Sequence, residues 1–246
     1  MTLRYALPLT LALATPALAD ITDMTEAERA AFGQEVRAYL LENPQVLMEA
    51  IAVLEGQQQQ MQGQMDDALV QNYKEMLHDD GASWVGGNLD GDITVVEFLD
   101  YRCGYCRRAF EEVETLVSRD GNIRFIVKEF PILGEQSLLS SKFAVAVKTL
   151  YGDDTYKAMH DILMALNTDM TPDTISRLAS SYDLNAEEIM AEMESEATAA
   201  VIDANHALGN LMQITGTPTF VVGDRLVRGY LPLEQMMRIV AEEREG

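Results

Sequence analysis

The chain has 246 residues, with 40 acidic and 18 basic side chains, a formal net charge of −22 at pH 7 and a sequence pI of about 4.3. This charge argues against nucleic acid and anionic lipid as partners, because both carry negative charge themselves. A hydrophobic content of 48% is ample for the core of one or two domains with a solvated acidic surface.

The first residues have the features of a secretory signal peptide. Arg4 gives a short positive region, residues 5–13 form an apolar run, and Ala17-Leu18-Ala19 is a small-x-small cleavage site before Asp20. The apolar run is too short for a transmembrane helix. We therefore expect residues 1–19 to direct export and the mature chain, which has no later membrane-spanning stretch, to act in a bacterial periplasm.

Residues 20–80 are predicted to be a helical segment that differs from the rest of the chain. Thr25 and Glu28 are spaced as a capping box, and Pro44 separates this first helix from a second, longer one. The second helix carries a heptad seam, which comprises Leu47, Ile51, Leu54, Gln58, Met61, Met65 and Ala68. An amphipathic helix lying on its own domain would explain part of this pattern. The length of the seam favours an oligomerisation stalk.

A second domain is predicted to cover residues 81–246, beginning with a glycine-punctuated connection at 81–91. Residues 93–99 form an almost continuous apolar strand, which is typical of a strand covered on both faces. A helix from about Cys106 to Val117 and a strand at 123–127 complete a βαβ unit.

The second half of this domain begins with helices. Residues 136–212 carry no strand pattern and are predicted to form an inserted run of helices. Residues 217–222 then form a strand, Gly223-Asp224 turns it into a hairpin with residues 225–227, and a last helix covers 232–245. The order β-α-β, helices, β-β-α predicts an α/β protein with a thioredoxin fold and a helical insertion, preceded by the N-terminal helical oligomerisation segment.

The only two cysteines, Cys103 and Cys106, lie where the first strand turns into its helix. A cysteine near a helix start is favoured as the thiolate, because unpaired N–H groups and the positive end of the helix dipole face it. The thiolate is the attacking species in disulfide exchange, and the second cysteine can resolve the mixed disulfide. A structural disulfide explains the pair poorly, because so small a loop stabilises very little.

The sequence Cys103-Gly104-Tyr105-Cys106 after a strand, together with Thr217-Pro218 far downstream, resembles the DsbA-like thiol-disulfide oxidoreductases of the bacterial periplasm. The resemblance covers about Asp92 to the C-terminus. The Gly-Tyr dipeptide and the threonine before the proline look more like the DsbC and DsbG isomerases. A DsbA-like domain behind a helical oligomerisation segment is similar to ScsC, a suppressor of copper sensitivity.

This resemblance implies a set of site residues. Cys103 and Cys106 would be catalytic, and Pro218 would be cis, which places the Thr217 backbone beside the cysteines where it can pair with an extended substrate. The residues expected to contact substrate are Gly104, Tyr105, Thr217 and Pro218. No metal site and no cofactor are predicted, and the three histidines are interpreted as ordinary helix residues.

Glu97 occupies the position of the buried acid of this family, within the apolar strand. Burial would raise the pKa of Glu97 and suit it to shuttle a proton for Cys106. The alternative is that Glu97 only points to a margin of the sheet. Arg124 and Lys128 share one face of the next strand, and either is expected to be able to pair with Glu97.

The leading functional hypothesis is a periplasmic disulfide isomerase or reductase acting on unfolded or wrongly disulfide-bonded secreted proteins. It would work with a membrane thiol reductase or oxidase and form a homo-oligomer, either a dimer or a trimer. A DsbA-like oxidase is the nearer alternative. A non-catalytic copper(I) carrier or holdase chaperone is a rival of another class, since two thiolates suit a soft ion.

Overall fold

The computed structural model describes residues 24–245. The predicted signal peptide, residues 1–19, lies outside the described residues. The chain divides into two compact units, the first ending at Gln58 and the second beginning at Gln59. Within residues 24–245, no helix has both the length and the apolar character needed to cross a membrane.

Two long helices begin the described part of the chain. The capping box is confirmed, because the Glu28 amide donates to the Thr25 hydroxyl and the Thr25 amide donates to the Glu28 carboxylate at 2.9 Å. It opens α1 (Glu26–Glu42), which ends before Asn43. Helix α2 (Gln45–Asn72) continues across the boundary between the two units.

A mixed five-stranded sheet forms the centre of the second unit, with strand order β1-β3-β2-β4-β5. Strands β2 and β3 are parallel and all other neighbours are antiparallel. The strands are β1 (Trp84–Gly87), β2 (Ile93–Leu99), β3 (Ile123–Glu129), β4 (Thr219–Val222) and β5 (Arg225–Arg228). The predicted β-α-β and β-β-α halves are confirmed, and with them the thioredoxin-like fold.

Strand β1 corrects the sequence prediction, which assigned residues 81–91 to a connection. It is a four-residue edge strand that ends in two glycines, so it lacks the apolar run that identifies a strand in sequence. Gly87 adopts a positive φ of 69°, and a Cβ there would lie 2.4 Å from the Ile123 carbonyl oxygen. The glycines explain why β1 could not be predicted from the sequence, and the absence of a side chain at Gly87 allows β1 to approach β3 closely.

The helical insertion is confirmed, since residues 135–211 contain helices and no strand. Side-chain caps begin three of these helices, with Thr171, Asn185 and Ser195 each accepting from a backbone amide of the first turn. The helices of the second unit after α2 are α3 (Lys74–His78), α4 (Gly104–Asp120), α5 (Glu135–Tyr151), α6 (Asp153–Ala165), α7 (Pro172–Ser180), α8 (Ala186–Met193), α9 (Glu196–Leu211) and α10 (Leu233–Glu245).

Both faces of the sheet are covered, as the continuous apolar strand predicted. Val95 and Leu99 of β2 face a core shared with α4, α5 and α6, whereas Val96 and Phe98 face a second core that includes Val70 of α2. Each fully buried side chain of this kind contributes roughly 1.5–3 kcal/mol to stability.

The predicted pairing of Glu97 with Arg124 or Lys128 is wrong. Glu97 stands opposite Val127 in the parallel register, so its side chain leaves the sheet on the face that Lys128 does not share. Lys128 instead donates to the Met76 carbonyl at 2.8 Å and pairs with Asp80. Arg124 donates to the His78 carbonyl at 3.0 Å. These contacts anchor α3 and the segment after it on the opposite face.

Candidate active site

The turn between β2 and α4 positions the two cysteines. Cys103 is the N-cap residue of α4, with extended backbone angles, and its amide donates to the Asp100 carbonyl at 3.0 Å. Cys106 lies one turn into the helix and is fully buried, whereas Cys103 retains 7% of its surface exposed. Both cysteines are free thiols. Only the first sulfur is therefore placed to meet another molecule.

The surroundings of Cys103 favour its ionised form. The pKa of Cys103 is lowered to about 5, first by a hydrogen bond from the Cys106 thiol and then by the Thr217 hydroxyl and the amides of Cys106 and Tyr105, against the opposing effect of burial. The Thr217 hydroxyl is buried and has no other partner among the described residues, so it is available to the thiolate. In its thiol form, Cys103 donates to the Thr217 carbonyl at 3.1 Å.

Cys106 and Glu97 form the inner, protonated side of the site. Burial raises the pKa of Cys106 far above its usual range, and the hydrogen bond to Cys103 and the charge of Glu97 act in the same direction. Burial also raises the pKa of Glu97 to about 8, with smaller contributions from Glu114 and Cys103. Glu97 Oε1 is buried and finds no hydrogen-bond partner within residues 24–245. Glu97 thus lies inside the core, not at a sheet margin.

The Thr217–Pro218 peptide bond is cis, as expected. It directly precedes β4, whose antiparallel pairing with β2 sets Thr219 opposite Phe98. This register brings the Thr217 backbone to the end of β2 where Cys103 follows. Gly104 and Tyr105 lie on the exposed side of the same turn, and 61% of Tyr105 is accessible. All the residues expected at the site therefore meet around one sulfur.

Asp100 supports the cysteine turn and was not singled out from the sequence. It is fully buried, and its carboxylate accepts from the Arg102 amide at 2.8 Å and from the amides of Ile132 and Leu133 at 2.8 and 3.0 Å. These bonds join the cysteine turn to the loop after β3. The sequence feature that could have identified Asp100 is a charged residue at the end of a continuous apolar strand.

A buried polar network lies behind the same turn. The Glu129 carboxylate accepts hydrogen bonds of 2.7 Å from the hydroxyls of Tyr101, Tyr156 and Ser141. Tyr101 also contacts His160 Nδ1 at 3.0 Å. Burial raises the pKa of Glu129 to about 7 and lowers that of His160 to about 3. His160 is therefore a buried neutral partner, and no sequence spacing could have connected these distant positions.

Comparison with known families agrees with this geometry. Residues 94–241, more than half of the chain, match the DSBA-like thioredoxin domain. The chain belongs to this family. Residues 28–61 match the N-terminal domain of the copper resistance protein ScsC, which confirms the second resemblance drawn from the sequence. With Cys103 and Cys106 at its helix start, the DsbA-like domain is of the thiol–disulfide oxidoreductase type.

Solved structures and characterised proteins include several relatives. A thioredoxin-like oxidoreductase from Silicibacter pomeroyi DSS-3 is 37% identical, with a TM-score of 0.65, over 70% of this chain and 98% of its own. BcfH of Salmonella enterica Typhimurium is 29% identical, with a TM-score of 0.73, over 89% of this chain and 97% of its own. Disulfide bond formation protein D of Bacillus subtilis is 24% identical over 65% of this chain and 76% of its own.

A different group of curated relatives is much longer than this chain. The Na(+)/H(+) antiporter NhaA 3 of Salinispora tropica is 26% identical over 156 residues, which is 63% of this chain. The chain spans about a quarter of the length of that antiporter and of the NhaA 1 antiporter of Salinispora arenicola. The region that this chain shares with the antiporter is about as long as the DsbA-like domain alone.

The hydrogen bond from Cys106 to the Cys103 sulfur can be tested by substitution. Wild-type protein is expected to react with iodoacetamide at a rate that rises with pH through about 5, because the pKa of Cys103 is lowered to that value. Cys106→Ala removes the largest contribution and should move the midpoint upward toward that of an ordinary thiol, near 8.5. Cys106→Ser, which keeps a donor of similar size, should move it less. Equal midpoints for the alanine variant and the wild type would contradict this origin of the pKa shift.

Proposed function

We propose that this protein catalyses thiol–disulfide exchange on secreted protein substrates, chiefly as a disulfide isomerase or reductase. The observation that carries the proposal is the Cys103 sulfur, which has a pKa of about 5 and lies 3.1 Å from the carbonyl oxygen of Thr217. The Cys103 thiolate attacks one sulfur of a client disulfide and forms a mixed disulfide, and the other client sulfur leaves as a thiolate. A second client thiolate then attacks the client sulfur of this mixed disulfide, which breaks its bond to Cys103, forms the rearranged client disulfide and releases the Cys103 thiolate.

Client contact is assigned to the residues around that sulfur. The Thr217 backbone beside Cys103 pairs with an extended client segment, in the manner of an added strand. Gly104 and Tyr105 are exposed on the other side of the sulfur and contact the same segment, while buried Pro218 fixes the Thr217 backbone. Main-chain pairing is independent of side chains, which suits a catalyst that acts on many unfolded proteins.

Glu97 is proposed as the proton acceptor for Cys106. Resolution by Cys106 gives an oxidised pair and a reduced client, and it requires a thiol with a strongly raised pKa to lose its proton. Glu97 is buried on the same side, its Oε1 has no other partner in the described part of the chain, and its pKa of about 8 leaves it able to exchange protons near neutral pH.

The first unit is proposed to form a homo-oligomer, a dimer or a trimer. No residue of α1 is buried, and Leu47, Ile51 and Leu54 of the α2 seam expose between 46% and 63% of their surface. Contiguous exposed apolar surface of this kind indicates an interface. Several catalytic sites around a shared space would suit clients with more than one wrong disulfide.

The proposed compartment is the periplasm, supported by the signal peptide predicted at residues 1–19 and by the DsbA-like family. A membrane thiol reductase would keep the cysteine pair reduced for isomerisation. The oxidase alternative has one specific observation in its favour: the lowered pKa of Cys103 stabilises the reduced protein, which makes the disulfide form more oxidising. A membrane thiol oxidase would then be the partner.

Refolding of scrambled ribonuclease tests the enzymatic proposal. Reduced wild-type protein should restore ribonuclease activity at least about tenfold faster than the uncatalysed reaction, and Cys103→Ser should act at the uncatalysed rate. Cys106→Ser should retain part of the activity and accumulate mixed disulfides with the client, because the attacking sulfur remains. Equal slow recovery with wild type and Cys103→Ser would refute catalysis. Faster oxidation of reduced ribonuclease than rearrangement of scrambled ribonuclease would favour the oxidase alternative.

The role of Glu97 is tested by the rate at which a mixed disulfide at Cys103 is resolved by Cys106. In wild type this rate should rise with pH through about 8, because Glu97 accepts a proton only when ionised. Glu97→Gln should slow resolution on the order of 10²-fold and abolish that rise. Glu114→Gln is the matched control, since it removes only a neighbouring charge and should shift the rise to lower pH. An unchanged profile in Glu97→Gln would exclude the proposed role.

The oligomer is tested by light scattering of the mature protein. Wild type should have two or three times the monomer mass, and the double variant Ile51→Asp, Leu54→Asp should have the monomer mass, because charges on the seam repel between copies. Ala52→Asp places a charge off the seam and should leave the mass unchanged. A monomeric wild type, or an oligomer that survives the double variant, would count against the stalk.

A further inference from the structure

An aromatic and guanidinium surface lies beside the cysteine turn. The Arg108 guanidinium lies over the ring of Tyr230, with its central carbon 4.4 Å from the ring centroid. The Tyr105 ring lies 6.4 Å from the same ring, at an angle of 31°. Arg108 and Tyr105 come from the first turns of α4, and Tyr230 comes from the connection between β5 and α10. We call Tyr105, Arg108 and Tyr230 the Tyr-Arg platform.

Glu112 holds the platform in place. One of its oxygens accepts from the Tyr230 hydroxyl at 2.5 Å, and the other accepts from the Leu233 amide at 2.7 Å. Both oxygens are therefore engaged by neutral donors. Among the ion pairs formed within residues 24–245, none joins Arg108 to Glu111 or Glu112, although both lie at helical spacing from it. Arg108 is exposed, so its guanidinium is available to a carboxylate of another molecule.

The neighbouring arginines are used differently. Arg107 donates to the carbonyls of Tyr101, at 2.7 Å, and Leu166, and Arg102 pairs with Asp169 at 3.3 Å. These two tie the cysteine turn to the segment after α6. The lowered pKa of Cys103 arises from Cys106, Thr217 and nearby amides. Arg108 takes part neither in tying the cysteine turn to the segment after α6 nor in stabilising the Cys103 thiolate, so these two roles do not explain its position.

We propose that the Tyr-Arg platform binds an acidic side chain of the client segment whose disulfide reacts with Cys103, so that Arg108 sets a preference for disulfides flanked by Asp or Glu. The inference rests on the proposed exchange function and names a client chemistry for the same site. A planar guanidinium binds a carboxylate through two parallel N–H···O bonds, and its contact with the Tyr230 ring holds it beside the cysteine turn. The exposed Tyr105 ring covers the apolar part of the same client side chain.

Charge explains why such a local site matters in this chain. The protein carries a formal net charge of −22, so an acidic client segment is repelled at long range. Arg108 is exposed beside the cysteine turn and places a positive charge there. The attraction between Arg108 and a client carboxylate acts over a few ångströms, within one Debye length. It favours acidic client segments at this site, whereas the net charge of the protein repels them at a distance.

The test measures the exchange rate of the full-length reduced protein with three short peptides that differ only at the residue beside a cysteine. The neighbour is Glu, Gln or Lys, and each cysteine is blocked as a mixed disulfide with 2-mercaptoethanol. We expect the ratio of the exchange rate with the Glu peptide to the rate with the Gln peptide to be about threefold lower in Arg108→Gln than in wild type. A change of this size is what the loss of an exposed ion pair gives. Tyr230→Leu should lower the ratio by a similar factor. High salt should reduce the wild-type ratio toward that of the variants.

Arg119→Gln is the matched control, because it removes the same charge from the exposed last turn of the same helix. It should leave the Glu-to-Gln ratio unchanged. An unaltered ratio in Arg108→Gln, or an equal fall in Arg119→Gln, would overturn the platform as a carboxylate site. Failure of the wild type to react with any of the three peptides would instead overturn the exchange function on which the inference rests.

Discussion

The candidate active site depends on one contact between segments that are 114 residues apart, in which the Cys103 sulfur lies 3.1 Å from the Thr217 carbonyl oxygen. The antiparallel register of β2 and β4 sets this contact, and almost every residue of both strands is buried. A shift of one residue would turn each apolar side chain to the wrong face of the sheet. The hydrophobic core therefore fixes the distance between the Cys103 sulfur and the segment proposed to hold the client.

The two cysteines acquire opposite properties from positions only one helical turn apart. Cys103 lies at the helix start, where the Cys106 thiol and two backbone amides stabilise its negative charge. Cys106 lies inside the core, where burial and the nearby Glu97 disfavour ionisation. The hydrogen bond between the sulfurs strengthens both effects, since it stabilises one thiolate and retains the proton on the other sulfur. This asymmetry supports the proposed roles, in which Cys103 attacks the client disulfide and Cys106 needs a base before it can resolve the mixed disulfide.

The face of the sheet away from the cysteines packs against the end of α2 within the second unit. Val70 packs in the second core, and Asp66 forms an ion pair with Arg228 of β5. On the same face, fully buried Lys128 pairs with Asp80 after α3. Removing Asp80 would leave the buried Lys128 charge with the Met76 carbonyl as its remaining partner, which would destabilise this face of the sheet. The last turns of α2 and α3 therefore belong to the second unit by packing, while the part of the seam before Gln58 belongs to the first unit.

The sequence alone determined the elements whose signals are local: the capping box at Thr25, the apolar strand before Cys103, the strand-free insertion and the pair of cysteines at a helix start. It also identified Glu97 and Thr217-Pro218, through resemblance to the family. It missed β1, whose glycines hide an edge strand, and it assigned Glu97 the wrong partners, because side-chain direction follows from the register of two strands. The Glu129 network, the carboxylate contacts of Asp100 and the Tyr-Arg platform were decided only by tertiary structure, since hydrogen bonds and stacking between distant segments leave no periodic trace in the chain.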